Sequence, residues 1–203
     1  PFGIAVDASG NLFVADHGNN TVEEILAAGG YTTVIPLGVG FTFSGPSAVA
    51  VDSSGNVFVA DTTHNAVEEI TFASGYTAVN ALGGAFVFSS PTGVALDSSG
   101  NLFVSDSGHD AIQEITFASA YATVNTLSPV IAYPSALAVD GAGNIFVAAN
   151  GGSAVEEILA AGGYTTANTL GTGFNGPVGV AVDTHGNVFV GDAGNNAVKE
   201  ITP

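Results

Sequence analysis

The sequence predicts an all-β fold, a β-propeller of four-stranded antiparallel blades, and three observations predict it. One phrase recurs five times: Asp7-Ala8-Ser9-Gly10-Asn11-Leu12-Phe13-Val14-Ala15-Asp16 returns at 52–61, 97–106, 140–149 and 183–192. The proline before each copy (Pro1, Pro46, Pro91, Pro134, Pro177) sets spacings of 45, 45, 43 and 43 residues, a period of propellers and solenoids. Within each period, short apolar runs alternate with turn clusters, and Gly or β-branched residues interrupt every candidate helix. A solenoid of parallel coils would use shorter repeats without tight hairpins. The repeats run 1–45, 46–90, 91–133 and 134–176, with a partial fifth at 177–203, about four and two-thirds blades in one continuous domain.

The stretch from Ser47 to Pro91 shows each element in order. Val49-Ala50-Val51 reads as a buried first strand. Ser53-Ser54-Gly55-Asn56 is a turn, with Asp52 placed to accept hydrogen bonds from its amides. Val57-Phe58-Val59-Ala60 is a second strand, antiparallel because the loop is short. Asp61-Thr62-Thr63-His64-Asn65 turns the chain into a third strand, Ala66-Val67-Glu68-Glu69-Ile70. After Phe72-Ala73-Ser74-Gly75, a fourth strand is expected at Tyr76-Thr77-Ala78-Val79, matching Tyr31, Tyr121 and Tyr164 in other copies. The small residues Ala5, Ala50, Ala95, Ala138 and Ala181 suit a crowded inner ring. Phe13, Phe58, Phe103, Phe146 and Phe189 would fill the space between blades, with Phe43, Phe88, Ile131 and Phe174 wedged in the links.

Gly-Val-Ala-Val-Asp, then Gly-Asn-Val-Phe-Val-Ala-Asp, then Asn-Asn-x-Val resembles the NHL repeat, most fully at Gly179 to Val198. The resemblance covers nearly the whole chain and implies a propeller, most often of six blades. Members of the family include binding scaffolds and RNA binders, and related propellers include lyases and lactonases. Where NHL repeats commonly carry Arg before the third strand's valine, this chain has Thr21, Ala66, Ala111, Ala154 and Ala197. RNA binding is therefore not carried over.

Charge narrows the partners. The net charge is −17 with one basic residue, Lys199, whereas nucleic-acid binders neutralise phosphates with Lys and Arg. Nucleic acid and anionic membranes are not expected. Seventeen of the eighteen acids fall in four columns of the repeat, so acidity marks no single centre. One column is Asp7, Asp52, Asp97, Asp140 and Asp183. The second is Asp16, Asp61, Asp106 and Asp192, with Ala149 in the fourth copy. The third holds Glu23, Glu68 and Glu156, with Gln113 and Lys199. The fourth is Glu24, Glu69, Glu114, Glu157 and Glu200. The adjacent glutamates alternate across their strand and read as solvated or blade-edge carboxylates.

Cys is absent, so no disulfide or cysteine-ligated metal forms. No apolar run reaches the length of a membrane helix, and the first residues lack the pattern of a signal peptide. A composition rich in Gly, Ser, Thr, Asn and Ala points to a secreted or surface protein of a bacterium.

Turns after the second strand and the links between blades share one face, and these loops vary, as recognition loops on rigid scaffolds do. The binding candidates there are Asp16, His17, Asn19, Asp61, His64, Asp106, His109, Asp110, Asn150, Asp192 and Asn195. No metal or other cofactor is expected, zinc and calcium being the alternatives. His64 and His109 share a column in adjacent blades, packed sheets lie about 10 Å apart, and zinc–nitrogen bonds are about 2 Å. Asp-x-Ser-Gly-Asn lacks the alternating oxygens and distal Glu of a calcium loop and reads as a capped turn.

The expectation is a non-enzymatic extracellular binding or structural module with no catalytic residues and a protein or carbohydrate ligand. One alternative is a fragment of a lyase- or lactonase-type propeller enzyme. Another is a surface or fibre component that self-associates through open strand edges. The fifth copy lacks an outer strand, and an exposed edge is a template for pairing. It would be covered by a missing segment of a longer propeller or by another chain.

Overall fold

The computed structural model describes all 203 residues. Blade one is β1 (Gly3–Val6), β2 (Leu12–Asp16), β3 (Thr21–Leu26) and β4 (Thr33–Leu37). Blade two is β5 (Pro46–Val51), β6 (Val57–Asp61), β7 (Ala66–Ile70) and β8 (Val79–Ala81). Blade three is β9 (Pro91–Leu96), β10 (Leu102–Asp106), β11 (Ala111–Ile115) and β12 (Val124–Thr126). Blade four is β13 (Pro134–Val139), β14 (Ile145–Ala149), β15 (Ala154–Ile158) and β16 (Ala167–Leu170). Blade five has three strands, β17 (Pro177–Val182), β18 (Val188–Asp192) and β19 (Ala197–Ile201). Every pairing is antiparallel between consecutive strands, so each blade is a meander.

Alternation along the strands divides each blade into two apolar faces, and four cores lie between the five blades. Phe13, Ala15 and Val22 of blade one meet Val49, Val57, Val59 and Ile70 of blade two. Phe58, Ala60 and Val67 meet the next blade's Val94, Leu102, Val104 and Ile115. The link residues Phe43, Phe88, Ile131 and Phe174 are all buried in these cores, as expected of wedges. The second-strand phenylalanines behave as the repeat predicts where a following blade exists. Phe13, Phe58 and Phe103 are wholly buried, whereas Phe189 in the last blade is 38% exposed. At the other end, Phe2, Ile4 and Val6 stand in solvent. The two ends of the arc thus present apolar faces of the kind that blades elsewhere bury.

The outer strand departs from expectation. β8 begins at Val79, three residues after Tyr76, and the other copies shift likewise. Tyr31, Tyr76, Tyr121 and Tyr164 have φ of 60–62°, left-handed and unusual for a bulky residue. Each sits in the turn before the strand, which aims its ring back at the preceding blade. Tyr76 meets Phe13 edge-on at 6.2 Å, Tyr121 meets Phe58 at 5.2 Å and Tyr164 meets Phe103 at 5.4 Å. Tyr31 has no preceding blade in this chain and is half exposed. Edge-to-face pairs contribute about 0.5–1.5 kcal/mol beyond area burial, but Tyr31 keeps the same φ without one, so the turn itself sets the conformation.

Candidate functional site

The first-strand turns are held by their own residues. Asp52 Oδ1 accepts the N–H groups of Ser54 and Asn56 at 2.8 Å each, and Oδ2 accepts Asn56 Nδ2 at 2.9 Å. Asn56 Oδ1 then accepts the N–H of Phe72 at 3.0 Å, tying two turns together. The same Asp–Asn pair recurs in the other four blades. These carboxylates are turn caps. His185 lies on this side, exposed, apart from the other histidines.

On the opposite face the structure corrects the reading of the aspartates. Asp61, Asp106 and Asp192 are wholly buried and cannot serve as exposed loop ligands. Their Oδ1 atoms accept backbone N–H from the preceding link: Ser44 to Asp61 at 2.7 Å, Ser89 to Asp106 at 2.7 Å and Asn175 to Asp192 at 2.8 Å. Their Oδ2 atoms accept from the residue three positions on: His64 at 2.7 Å, His109 at 2.8 Å and Asn195 at 2.7 Å. Asp16 accepts Asn19 Nδ2 in the same way at 2.7 Å. Asp110 has φ of 52° and its Oδ1 accepts the Tyr133 N–H at 2.8 Å, the role Asn20 and Asn65 play for Gly45 and Ser90. Asn150 Nδ2 reaches Pro177 O at 3.4 Å. Eight of the eleven candidates are thus engaged in holding turns or links.

The imidazoles remain. His64 and His109 are about half exposed, at 45% and 47% of the side chain. Each is fixed through Nδ1 to a buried carboxylate, and Nε2 makes no hydrogen bond within the chain. His17 sits in another column. Its ring packs against that of Phe2, tilted by 43° with centroids 4.5 Å apart, and it lines the central cavity.

That cavity, about 560 Å³, is walled by the first strands of all five blades. Its rim carries a belt of hydroxyls not singled out from sequence. Ser47 Oγ lies 2.6 Å from Thr62 Oγ1, which donates to Pro91 O at 2.7 Å. Thr92 Oγ1 lies 2.6 Å from Ser107 Oγ and donates to Ser135 O at 2.9 Å. Ser135 Oγ donates to Pro177 O at 3.1 Å. The belt stitches inner strands across blade boundaries and stops at Phe2 and Val178. The signal was present: hydroxyls recur at 47, 92 and 135 in a column that is otherwise apolar.

The glutamates need a second correction. Glu24 and Glu68 are 7% and 3% exposed, not solvated. Burial, with the Asp7 charge nearby, raises the Glu24 carboxyl above its usual range. Burial first and Asp61 second push Glu68 up to about 8. At the equivalent place in blade five, Lys199 Nζ lies 2.6 Å from Asp192 Oδ2 and donates to Gly173 O at 2.7 Å. Burial alone would raise Asp192, but hydrogen bonds from Lys199, the Asn175 N–H and Asn195 bring it down to about 2. No group of three or more His, Asp or Glu side chains is arranged to hold a metal ion.

The NHL repeat family model matches residues 43–68, 88–115 and 174–201. No curated protein matches the sequence. Solved structures that match over 100% of this chain include the following three. A streptogramin B lyase structure has a TM-score of 0.82 at 16% identity, and the chain spans 65% of its length. A nidogen/laminin complex has a TM-score of 0.82 at 19% identity, with 80% of that chain covered. A putative gluconolactonase has a TM-score of 0.77 at 17% identity, with 74% covered. Likeness at this identity concerns the fold. It nevertheless overturns the expectation of a module without enzymatic activity, because two of these whole-chain matches bear enzyme names.

Proposed function

We propose, for a chain that is an NHL-repeat β-propeller, a role as the greater part of a propeller enzyme of the lyase or lactonase class. The chemistry is assigned to the face formed by the β2–β3-type turns and the links; His17 and Thr62 of these turns line the central cavity, whereas His64 and His109 stand outside its lining. The observation that carries this reading is the pair of half-exposed imidazoles, His64 and His109, each fixed through Nδ1 to a buried aspartate at 2.7 and 2.8 Å. A carboxylate on Nδ1 selects the tautomer with Nε2 free to accept a proton. Such a base can take a proton from a carbon next to a carbonyl while a leaving oxygen departs, which is elimination. It can equally take a proton from water as that water adds to a lactone carbonyl, which is hydrolysis.

Burial of Asp61 and Asp106 supports the reading in a second way. A carboxylate shielded from water holds its imidazole in one orientation and strengthens the field on it. The net charge of −17 favours neutral or cationic substrates over anionic ones. His17 and Phe2, packed together at the cavity rim, offer an apolar and polar surface beside these turns.

The test is incubation of the chain with a streptogramin B and, separately, with gluconolactone, followed by chromatographic separation and mass spectrometry. Elimination opens a ring with no change in mass, and hydrolysis adds the mass of one water. Conversion of neither compound nor of a wider lactone panel would count against the assignment.

A further inference from the structure

Seven residues after the buried aspartates of blades three and five, the chain places a donor on Oδ2. In blade three, Gln113 Nε2 donates to Asp106 Oδ2 at 3.1 Å, alongside His109. In blade five, Lys199 Nζ donates to Asp192 Oδ2 at 2.6 Å, alongside Asn195. Blade four removes the acid: Ala149 stands in the aspartate column, and Glu156 turns to Thr169 Oγ1 at 3.0 and 3.1 Å. Where the buried acid is present in these blades, its neighbour is a donor. Where it is absent, a carboxylate is free to face solvent.

Blade two breaks the pattern by formula only. Asp61 is wholly buried, and the residue seven on is Glu68, 3% exposed, with Oε2 lacking any partner. Two adjacent buried carboxylates cannot both ionise without a large cost. No cavity of the chain is lined by Asp61 or Glu68. A proton takes the least room and turns Glu68 into the donor that Gln113 is in the next blade. We propose that Glu68 is held as the neutral acid and donates its proton to Asp61, making the junction of blades one and two a proton-binding site that empties in alkali.

The ionisable surroundings are few. The charge of Asp61 on β6 acts on Glu68, and the same carboxylate carries His64. Glu24 of β3 lines the far end of the interface, beside Tyr76 and Asp52. β8 and the link at 38–45 contribute no ionisable residue. Burial and the Asp61 charge push the Glu68 carboxyl up to about 8 from an ordinary 4.5. Between those values the folded chain holds a proton that the unfolded chain has released. The associated stability is complete below about 4.5 and is lost as pH rises through about 8. Loss of the proton sets two negative charges side by side under the Ser44 and His64 contacts, loosening both. The proton's place does not depend on what the imidazoles do.

The test is Glu68→Gln, which copies the arrangement of blade three. Thermal midpoints are measured from about pH 4.5 to pH 8.5 for both chains. The wild type is expected to lose several degrees more than the variant over that window, and the variant to be the more stable at the alkaline end. In the wild type, carbon NMR of the Glu68 carboxyl is expected to show titration near pH 8. Parallel midpoint curves, or a Glu68 carboxyl that titrates in the ordinary carboxylate range, would overturn the proposal. The NMR reading decides even if the variant does not fold.

Discussion

Ser44 donates its backbone N–H to Asp61 Oδ1 at 2.7 Å across 17 residues of sequence, joining the link that leaves blade one to the second strand of blade two. Ser89–Asp106 and Asn175–Asp192 repeat the bond. The acid column therefore sets the position of three of the four links, and with them Phe43, Phe88 and Phe174.

Asp61→Ala is expected to destabilise the fold by about 2–3 kcal/mol, the range for hydrogen bonds to a buried charged acceptor. Asp16→Ala should cost less, since Asp16 is partly exposed and receives no link N–H from another blade. Denaturant unfolding of the two variants measures the difference. Equal losses would show that the link bond contributes nothing.

Close approach of the inner strands can be tested at one column. A Cβ on Gly93 would lie 2.9 Å from Ser135 O and 3.2 Å from Ala136 Cα, whereas a Cβ on Gly179 would meet nothing within 4 Å. Gly93→Ala should cost about 1–3 kcal/mol by overpacking, and Gly179→Ala should be neutral or slightly stabilising. Thermal unfolding of both variants checks this. The account of inner-ring packing is wrong if the order is reversed.

The tyrosines give a pH signature. Burial, reinforced by nearby carboxylates, pushes Tyr76 and Tyr121 up to about 12 and raises Tyr164 as well. A phenol raised in the folded state contributes stability that is complete below its ordinary value of about 10 and is lost as pH climbs toward 12. Phenolate absorbance should therefore develop in two stages, the later one coinciding with loss of β-structure by circular dichroism. A single early stage with the fold intact would contradict the buried edge-to-face pairs.

Much of this was legible in the sequence because the repeat acts as its own comparison. Phe13, Phe58 and Phe103 share a column and share complete burial. The Asp-x-Ser-Gly-Asn turn closes with the bonds its residue types suggest. What escaped was set by partners remote in sequence. Asp61 sits among Thr, His and Asn in a polar loop and reads as exposed, yet the preceding link covers it. Tyr76 has strand-forming chemistry, but it takes the left-handed position that closes the turn through its N–H on Thr71 O, as Tyr31 takes it without a preceding blade. His64 and Asn19 occupy one column as donors to an aspartate, a substitution that carries the role of both. Glu68, Gln113 and Lys199 likewise differ in charge while facing the same acid. That covariation was visible in the columns, but its meaning needed the geometry of Gln113 on Asp106.

The enzyme assignment rests on His64 and His109, and the most direct measurement compares turnover by the wild type, His64→Ala, His109→Ala and the double variant on whichever lactone or streptogramin B is converted. Loss of a positioned general base lowers rates by about 10²–10⁴-fold, and a fall of that size in at least one single variant and in the double variant, with the fold intact, is the predicted result. Turnover by the double variant at the wild-type rate would contradict it.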